Sequence, residues 1–279
     1  MFESSRAVQP VAVFDSGVGG LSVLQAMLTQ LPNENFVFLA DEVHLPYGDK
    51  PQAFIEQRVL TLCDWARGVP TKAMVIACNT ATAAGATRAR QVHGAWPIVG
   101  IEPAVKPASM MTRSGVVGIL ATSNTVASER FKALVERFDP LARVLAVPCP
   151  GLVELIEQSP MDPARVQARL APVLDTLLEQ GVDVIVLGCT HYPFVRHLIQ
   201  AHVGANVAVI ETGLPVARQL EQRLKEAGLC QPATTLKGEQ APYLRVQFFT
   251  TGDPAAFHAK LQALMGSQWR EAQVSPLRV

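Results

Sequence analysis

Charge of either sign is not in surplus in this chain: 24 basic residues stand against 24 acidic ones, and the net charge is zero. A balanced chain gives no electrostatic reason to expect nucleic acid or an anionic membrane as partner. Long apolar runs are missing too; none approaches the roughly 18 residues that a spanning helix needs. The opening segment Met1-Phe2-Glu3-Ser4-Ser5-Arg6 has no apolar signal core. The expectation is a soluble, cytoplasmic protein. No Cys-x-x-Cys or paired Cys/His spacing is present, so zinc lacks a ligand set. Five cysteines, an odd number without an export signal, argue against a disulfide framework. Low-complexity linkers are also lacking, so whatever units the chain forms should pack closely.

What is present is globular. The hydrophobic fraction is 49% and the charged fraction 17%. The 279 residues suffice for one large α/β domain or two small ones. Short β-rich runs at 11–15, 36–40, 73–77, 116–120, 144–147, 184–187 and 245–249 alternate with helical patterns at 20–31, 52–67, 125–138, 165–179 and 214–227. Such alternation predicts α/β architecture with mainly parallel sheets and right-handed crossovers. Two quasi-repeats stand out. Val11-Ala12-Val13-Phe14-Asp15-Ser16-Gly17 and Val116-Val117-Gly118-Ile119-Leu120-Ala121-Thr122-Ser123 are both strands breaking into polar turns. Apolar runs ending at Cys78-Asn79-Thr80 and Cys189-Thr190-His191 form the second pair. The offsets are about a hundred residues, a plausible domain length. The pattern predicts two similar α/β domains related by a pseudo-twofold. Boundaries are set at the proline-bearing segment 94–107 and near 211–215, giving 1–100 plus 211–279 and 101–210. Ligands in such sheets sit at the carboxyl ends of strands, here in a cleft between the domains.

Cys78 and Cys189 carry the chemistry. Two thiols in matching settings, 111 residues apart, suit a reaction that removes a proton from one face of a small substrate and returns one to the other. His191 lies two residues beyond Cys189, where an imidazolium lowers a thiol's pKa from about 8.5 toward neutrality. Asp15 stands to Cys78 as His191 stands to Cys189, orienting it or exchanging protons. The turn Asp15-Ser16-Gly17-Val18-Gly19-Gly20 offers amide N–H groups to an anion. It matches neither the Rossmann spacing nor a P-loop, and Asp15 would repel a phosphate. A ligand carboxylate held by Ser16 fits better; the plain alternative is a tight turn with Asp15 as N-cap. Pro46-Tyr47-Gly48 supplies a turn whose N–H groups and phenol can face a ligand. Cys63, Cys149 and Cys230 read as buried small hydrophobes. His93, His197, His202 and His258 read as buried structural histidines.

These stretches together resemble the glutamate racemases of the aspartate/glutamate racemase superfamily. The matching runs are Phe14-Asp15-Ser16-Gly17-Val18-Gly19-Gly20-Leu21-Ser22-Val23, Pro46-Tyr47-Gly48, Cys78-Asn79-Thr80-Ala81-Thr82 and Gly188-Cys189-Thr190-His191-Tyr192-Pro193. Pro148-Cys149-Pro150-Gly151-Leu152-Val153 and Thr250-Thr251-Gly252-Asp253-Pro254 add to them. The resemblance implies a cofactor-independent isomerase that supplies D-glutamate to the bacterial cell wall. It needs neither pyridoxal phosphate nor metal, and is a homodimer in the family. It also implies that Cys78 takes the α-proton of D-glutamate and Cys189 that of L-glutamate, with Asp15 and His191 supporting them. Ser16, Tyr47, Gly48, Asn79, Thr80, Thr122, Thr125 and Thr190 would hold the substrate. The family's further acid falls on Glu157 by register, with Glu154 the alternative where a proline is usual. Phe131 stands where a tyrosine is common, and Glu211-Thr212-Gly213 departs from an Asp-Ser pattern. Aspartate or hydantoin racemase is the sibling reading. A binding module with structural cysteines is the reading from another class.

Overall fold

In the computed structural model, which describes residues 6–138, 141–232 and 242–279, ten strands form two sheets in which every pairing is parallel. In chain order the strands are β1 (Val11–Asp15), β2 (Phe36–Ala40), β3 (Ala73–Ile76), β4 (Ile98–Gly100), β5 (Val116–Ala121), β6 (Arg143–Pro148), β7 (Val184–Leu187), β8 (Ala208–Ile210), β9 (Val246–Thr250) and β10 (Val274–Pro276). The helices between them are α1 (Leu21–Gln30), α2 (Gln52–Gly68), α3 (Asn79–His93), α4 (Val105–Met111), α5 (Ser123–Ala127), α6 (Glu129–Phe138), α7 (Leu152–Ile156), α8 (Pro163–Glu179), α9 (Arg196–Val203), α10 (Gly213–Glu226) and α11 (Pro254–Met265). One sheet runs β10-β9-β2-β1-β3-β4 and the other β6-β5-β7-β8. The order β2-β1-β3-β4 is thus repeated as β6-β5-β7-β8, so the quasi-repeats fall on equivalent strands: β1 with β5, and β3 with β7.

Both sheets are covered on both faces, which is why most positions of their central strands are apolar. In β1, Val11 and Val13 pack with α1 and α10 residues such as Leu24 and Leu220. Ala12 and Phe14 point the other way, onto Val59, Leu62 and Ala86 of α2 and α3. In β5, Leu120 joins the cluster under α8, while Val117 and Ile119 join the one under α4 and α6. Trp269 closes the first core edge-on against Phe248, with ring centroids 5.4 Å apart.

Several local differences from the sequence reading have physical causes. The pattern at 125–138 is two helices. Ser128 is extended and its hydroxyl accepts the Phe131 amide, so it ends α5 and starts α6. Asp15 caps nothing: α1 begins after Gly20 with no side-chain cap, and Asp15 Oδ1 accepts the Gly17 N–H at 2.8 Å. Cys230 is exposed, because it lies just past the Gly228 turn that ends α10. His197 is exposed and His202 and His258 are half-buried, so none of these three is a core histidine; the His93 imidazole is nearly buried, packed edge-on against Trp96 with ring centroids 5.6 Å apart. The segment Met1–Ser5, part of the reading against a signal core, lies outside the described residues. Among those residues no helix is long and apolar enough to cross a membrane.

Candidate active site

Cys78 follows β3 and Cys189 follows β7, the equivalent strands of the two sheets. Both thiols face one cleft that encloses about 500 Å³, its mouth included. Each cysteine is nearly buried, 6% and 7% exposed.

Their surroundings differ. Cys78 is the N-cap of α3, and its sulfur accepts the Ala81 N–H at 3.4 Å. The Ser16 hydroxyl lies 3.8 Å from the same sulfur. A helix N-terminus favours a thiolate, but burial outweighs it and, with the nearby Asp15 carboxylate, pushes the thiol up to about 12. Cys189 instead meets His191 Nδ1 at 3.8 Å. His191 starts a 3₁₀ turn over Tyr192–Val195. Its Nε2 lies 2.7 Å from Glu157 Oε1. Burial alone would lower the imidazole; its bonds to Cys189 and Glu157 outweigh burial and hold it well above its ordinary value. Burial would raise the Glu157 carboxyl, yet His191 and Lys260 bring it down to about 2. An ionised Glu157 can only accept, so Nε2 carries a proton and Nδ1 is left to exchange one with sulfur.

Asp15 is fully buried behind the cleft wall. Its Oδ2 accepts the Thr190 hydroxyl at 2.9 Å, a bond from the second sheet's unit to the first. Burial raises its carboxyl to about 6, against the opposing pull of His191. The glycines of its turn have a steric reason. A Cβ at Gly17 would lie 2.2 Å from Glu157 Oε1, and one at Gly19 would lie 2.4 Å from His191 Nδ1. The turn is bare so that the Glu157–His191 pair can lie against its backbone, where the Val18 N–H also reaches Glu157 Oε1 at 2.9 Å.

Ser16, Tyr47, Gly48, Asn79, Thr80, Thr122 and Thr190 line the cleft together with the two thiols and His191. Thr125 stands one layer back, its hydroxyl 2.9 Å from Thr122 and 3.3 Å from Thr80. The Tyr47 phenol is committed elsewhere: it donates to Asp41 Oδ2 at 2.6 Å, and Arg58 holds both oxygens of that carboxylate. Tyr47 therefore shapes the wall with its ring rather than offering a free hydroxyl. Asn79 is the reverse case. Both polar atoms of its buried amide lack a protein partner, and a buried donor–acceptor pair in a cavity wall is a ligand contact waiting to be made. Of the two acids left open by sequence, Glu157 meets His191, and Glu154 lines the cleft.

Sequence reasoning missed three parts of this site. Cys149, read as a core residue, also lines the cleft. Asp41 with Arg58, and Lys260 with Glu42, stand behind the wall. The Pro-Cys-Pro setting of Cys149 was a usable signal; a lone lysine on α11 gave none. Among the described residues no group of three or more His, Cys, Asp or Glu side chains could hold a metal ion.

Comparison with known proteins agrees with the geometry. Residues 17–220 match the model of the Asp/Glu/Hydantoin racemase family. The chain is 52% identical over 220 residues to a glutamate racemase of Pseudomonas syringae pv. tomato, covering 79% of this chain and 80% of that one. It is 44% identical over 268 residues to the glutamate racemase of Pseudomonas entomophila, covering 96% and 98%. Among solved structures, a glutamate racemase isoform of Bacillus anthracis superposes with TM-score 0.81 at 29% identity, covering 97% of each chain. The Escherichia coli glutamate racemase, solved with L-glutamate and the activator UDP-MurNAc-ala, superposes with TM-score 0.79 at 28% identity, covering 97% of this chain and 99% of that one. With over two thirds of its length inside the family model, this chain belongs to the Asp/Glu/Hydantoin racemase family.

Proposed function

We propose that this protein interconverts L- and D-glutamate without a cofactor, by a two-base mechanism in which Cys78 and Cys189 act on opposite faces of the α-carbon. The observation that carries the reading is the pair of thiols, delivered by equivalent strands of two sheets into one cleft. The identity of the relatives supports glutamate as the substrate.

One sulfur, as thiolate, takes the α-proton. The electron pair left on carbon spreads into the adjacent carboxylate, and the other thiol delivers its proton to the opposite face. The reverse reaction exchanges the two roles. Cys189 would act on L-glutamate, with His191 taking and returning its proton while Glu157 stays ionised. Cys78 would act on D-glutamate, with Asp15 and the α3 N-terminus as neighbours. An α-proton beside a carboxylate is a very weak acid, so the site must stabilise the developing charge with fixed dipoles. Asn79, Thr80, Thr190, Ser16, Thr122 and the Gly48 backbone are assigned to the substrate's carboxylates and ammonium, with Tyr47 as wall and Thr125 as support for the two threonines. We assign 1–100 plus 211–279 to the first domain and 101–210 to the second. The product would feed peptidoglycan synthesis in the bacterial cytoplasm, and the working form would be a homodimer.

The test is incubation of the purified, metal-free protein with L-glutamate in D₂O. Circular dichroism follows loss of optical activity, and NMR follows the Cα position. Racemisation with deuterium in the inverted product is expected. Turnover of aspartate but not glutamate would move the substrate to a sibling specificity. Silence with every amino acid under reducing conditions would overturn the reading.

A further inference from the structure

Glu157 is held by three donors. His191 Nε2 and the Val18 N–H meet Oε1 at 2.7 and 2.9 Å, and Lys260 Nζ meets Oε2 at 2.8 Å. The same ammonium donates to Glu42 Oε1 at 2.8 Å, and Glu42 Oε2 accepts the Thr250 hydroxyl at 2.6 Å. Lys260 lies on α11 and Glu42 follows β2, both in the six-stranded unit; Glu157 follows α7 in the four-stranded one. One cation therefore joins carboxylates of both units directly behind His191. An exposed lysine would pair weakly. Here the side chains of Lys260, Glu42 and Glu157 are 22%, 11% and 7% exposed, so solvent and salt screen the contact less.

We propose that Lys260 is a positioning residue for the Cys189 half of the site: its ammonium fixes Glu157 in place and ionised against His191, and thereby sets how readily Cys189 gives and takes a proton. The catalytic meaning rests on the racemase reading; the ionisation of Cys189 can be read without turnover. Two effects act together. With Oε2 pinned by Lys260 and Oε1 shared by Val18 and His191, the carboxylate cannot rotate, and the imidazole keeps Nδ1 toward sulfur. The ammonium is also the positive charge that offsets the acids gathered here. The titratable groups facing the Glu157–His191 pair are Lys260, Asp15 and Cys189, with Glu42 beyond the lysine. Removing the ammonium takes away a positive charge that helps compensate Glu157 and Glu42, so loss of a proton becomes harder at the groups behind Cys189.

The test compares the wild type with Lys260→Met and Lys260→Arg. Lys260→Gln, which keeps a hydrogen bond without the charge, is held ready in case the Met form fails to fold. Alkylation of Cys189 by iodoacetamide is followed by peptide mass spectrometry across pH. Its midpoint should rise by about one pH unit in Lys260→Met, with Cys78 unchanged and Lys260→Arg close to wild type. Elimination of chloride from the two enantiomers of 3-chloroglutamate supplies the second readout. It needs a base on one face only, so the overall equilibrium does not tie the two rates together. Lys260→Met should slow the L enantiomer about tenfold, equivalent to that one-unit change, and leave the D enantiomer within about twofold. An unchanged Cys189 alkylation profile in a folded Lys260→Met protein overturns the proposal. So does an equal loss with both enantiomers that Lys260→Arg does not restore. Should the wild type be inert with glutamate while the alkylation shift appears, the racemase reading falls and the positioning role stands.

Discussion

The two halves of the site begin from the same device, a cysteine at the carboxyl end of the third strand of a repeated four-strand unit, and finish it differently. Behind Cys78 there is a helix N-terminus, one serine hydroxyl and a buried carboxylate raised to about 6. Behind Cys189 there is a chain of charged groups, His191 to Glu157 to Lys260 to Glu42, that runs back into the other unit. Burial governs the first thiol; the second faces a built chain of charged side chains. In the proposed reaction one sulfur is thiol while the other is thiolate, and the asymmetry gives each its own neighbours for that exchange. A duplicated fold supplies the facing geometry, and the side chains behind each sulfur have diverged.

The comparison breaks most completely at the sulfurs. Cys78→Ser and Cys189→Ser should each lower glutamate racemisation by about a thousandfold or more, while the Cys78 variant still eliminates chloride from the L substrate and the Cys189 variant from the D substrate. Loss of both eliminations in either variant would mean the thiols do not divide the faces. Asp15 provides the next largest effect. Burial raises its carboxyl from an ordinary 3.8 to about 6. Below the unfolded value it is protonated in both states, and its contribution to stability is fully present. As pH rises through about 6 the folded state gives up a proton it holds more tightly, and about 3 kcal/mol is lost. Asp15→Asn holds no such proton, so urea unfolding should show it gaining on the wild type by up to about 3 kcal/mol between pH 4 and 7. Glu157, lowered to about 2, acts in the opposite sense, losing stability as pH falls, but it does so in both proteins. A gap that is flat with pH would remove burial as the governing term of the Cys78 half. His191→Asn should be smaller and one-sided: elimination from the L enantiomer about thirtyfold slower, the D enantiomer within about threefold. Equal losses would erase the distinction between the halves.

Much of this is legible in the sequence, for reasons that particular residues make plain. Central strands such as Val184–Leu187, apolar at every position, and Val11–Asp15, apolar except for Asp15, stand out as runs because helices cover both faces. Edge strands β4, β8 and β10 have three residues each, too few to make a pattern. Helix α3 hid for another reason. Its buried face is Ala81, Gly85, Ala86 and Ala89, small because α2 approaches closely; a Cβ at Gly85 would sit 2.7 Å from Val59 Cβ. A face without large side chains leaves no apolar stripe to detect. In the site, the thiols and their immediate neighbours were legible because they are adjacent in sequence. Glu157 needed the family's register. Lys260 lies 103 residues beyond Glu157, and only tertiary folding brings the two together. The phenol of Tyr47 was misjudged because its partner Asp41, six residues earlier, outcompetes the cleft for the hydroxyl.

Trp269, packed edge-on against Phe248, has a spectroscopic consequence. The chain's three tryptophans are Trp65, Trp96 and Trp269, and each belongs to the six-stranded unit, while 101–210 contains none. Intrinsic emission is therefore a reporter confined to one half of the molecule. Far-ultraviolet dichroism sees both halves at once. Coincidence of the two melting curves would identify a single cooperative unit, and their separation would give each lobe its own stability without any label being added.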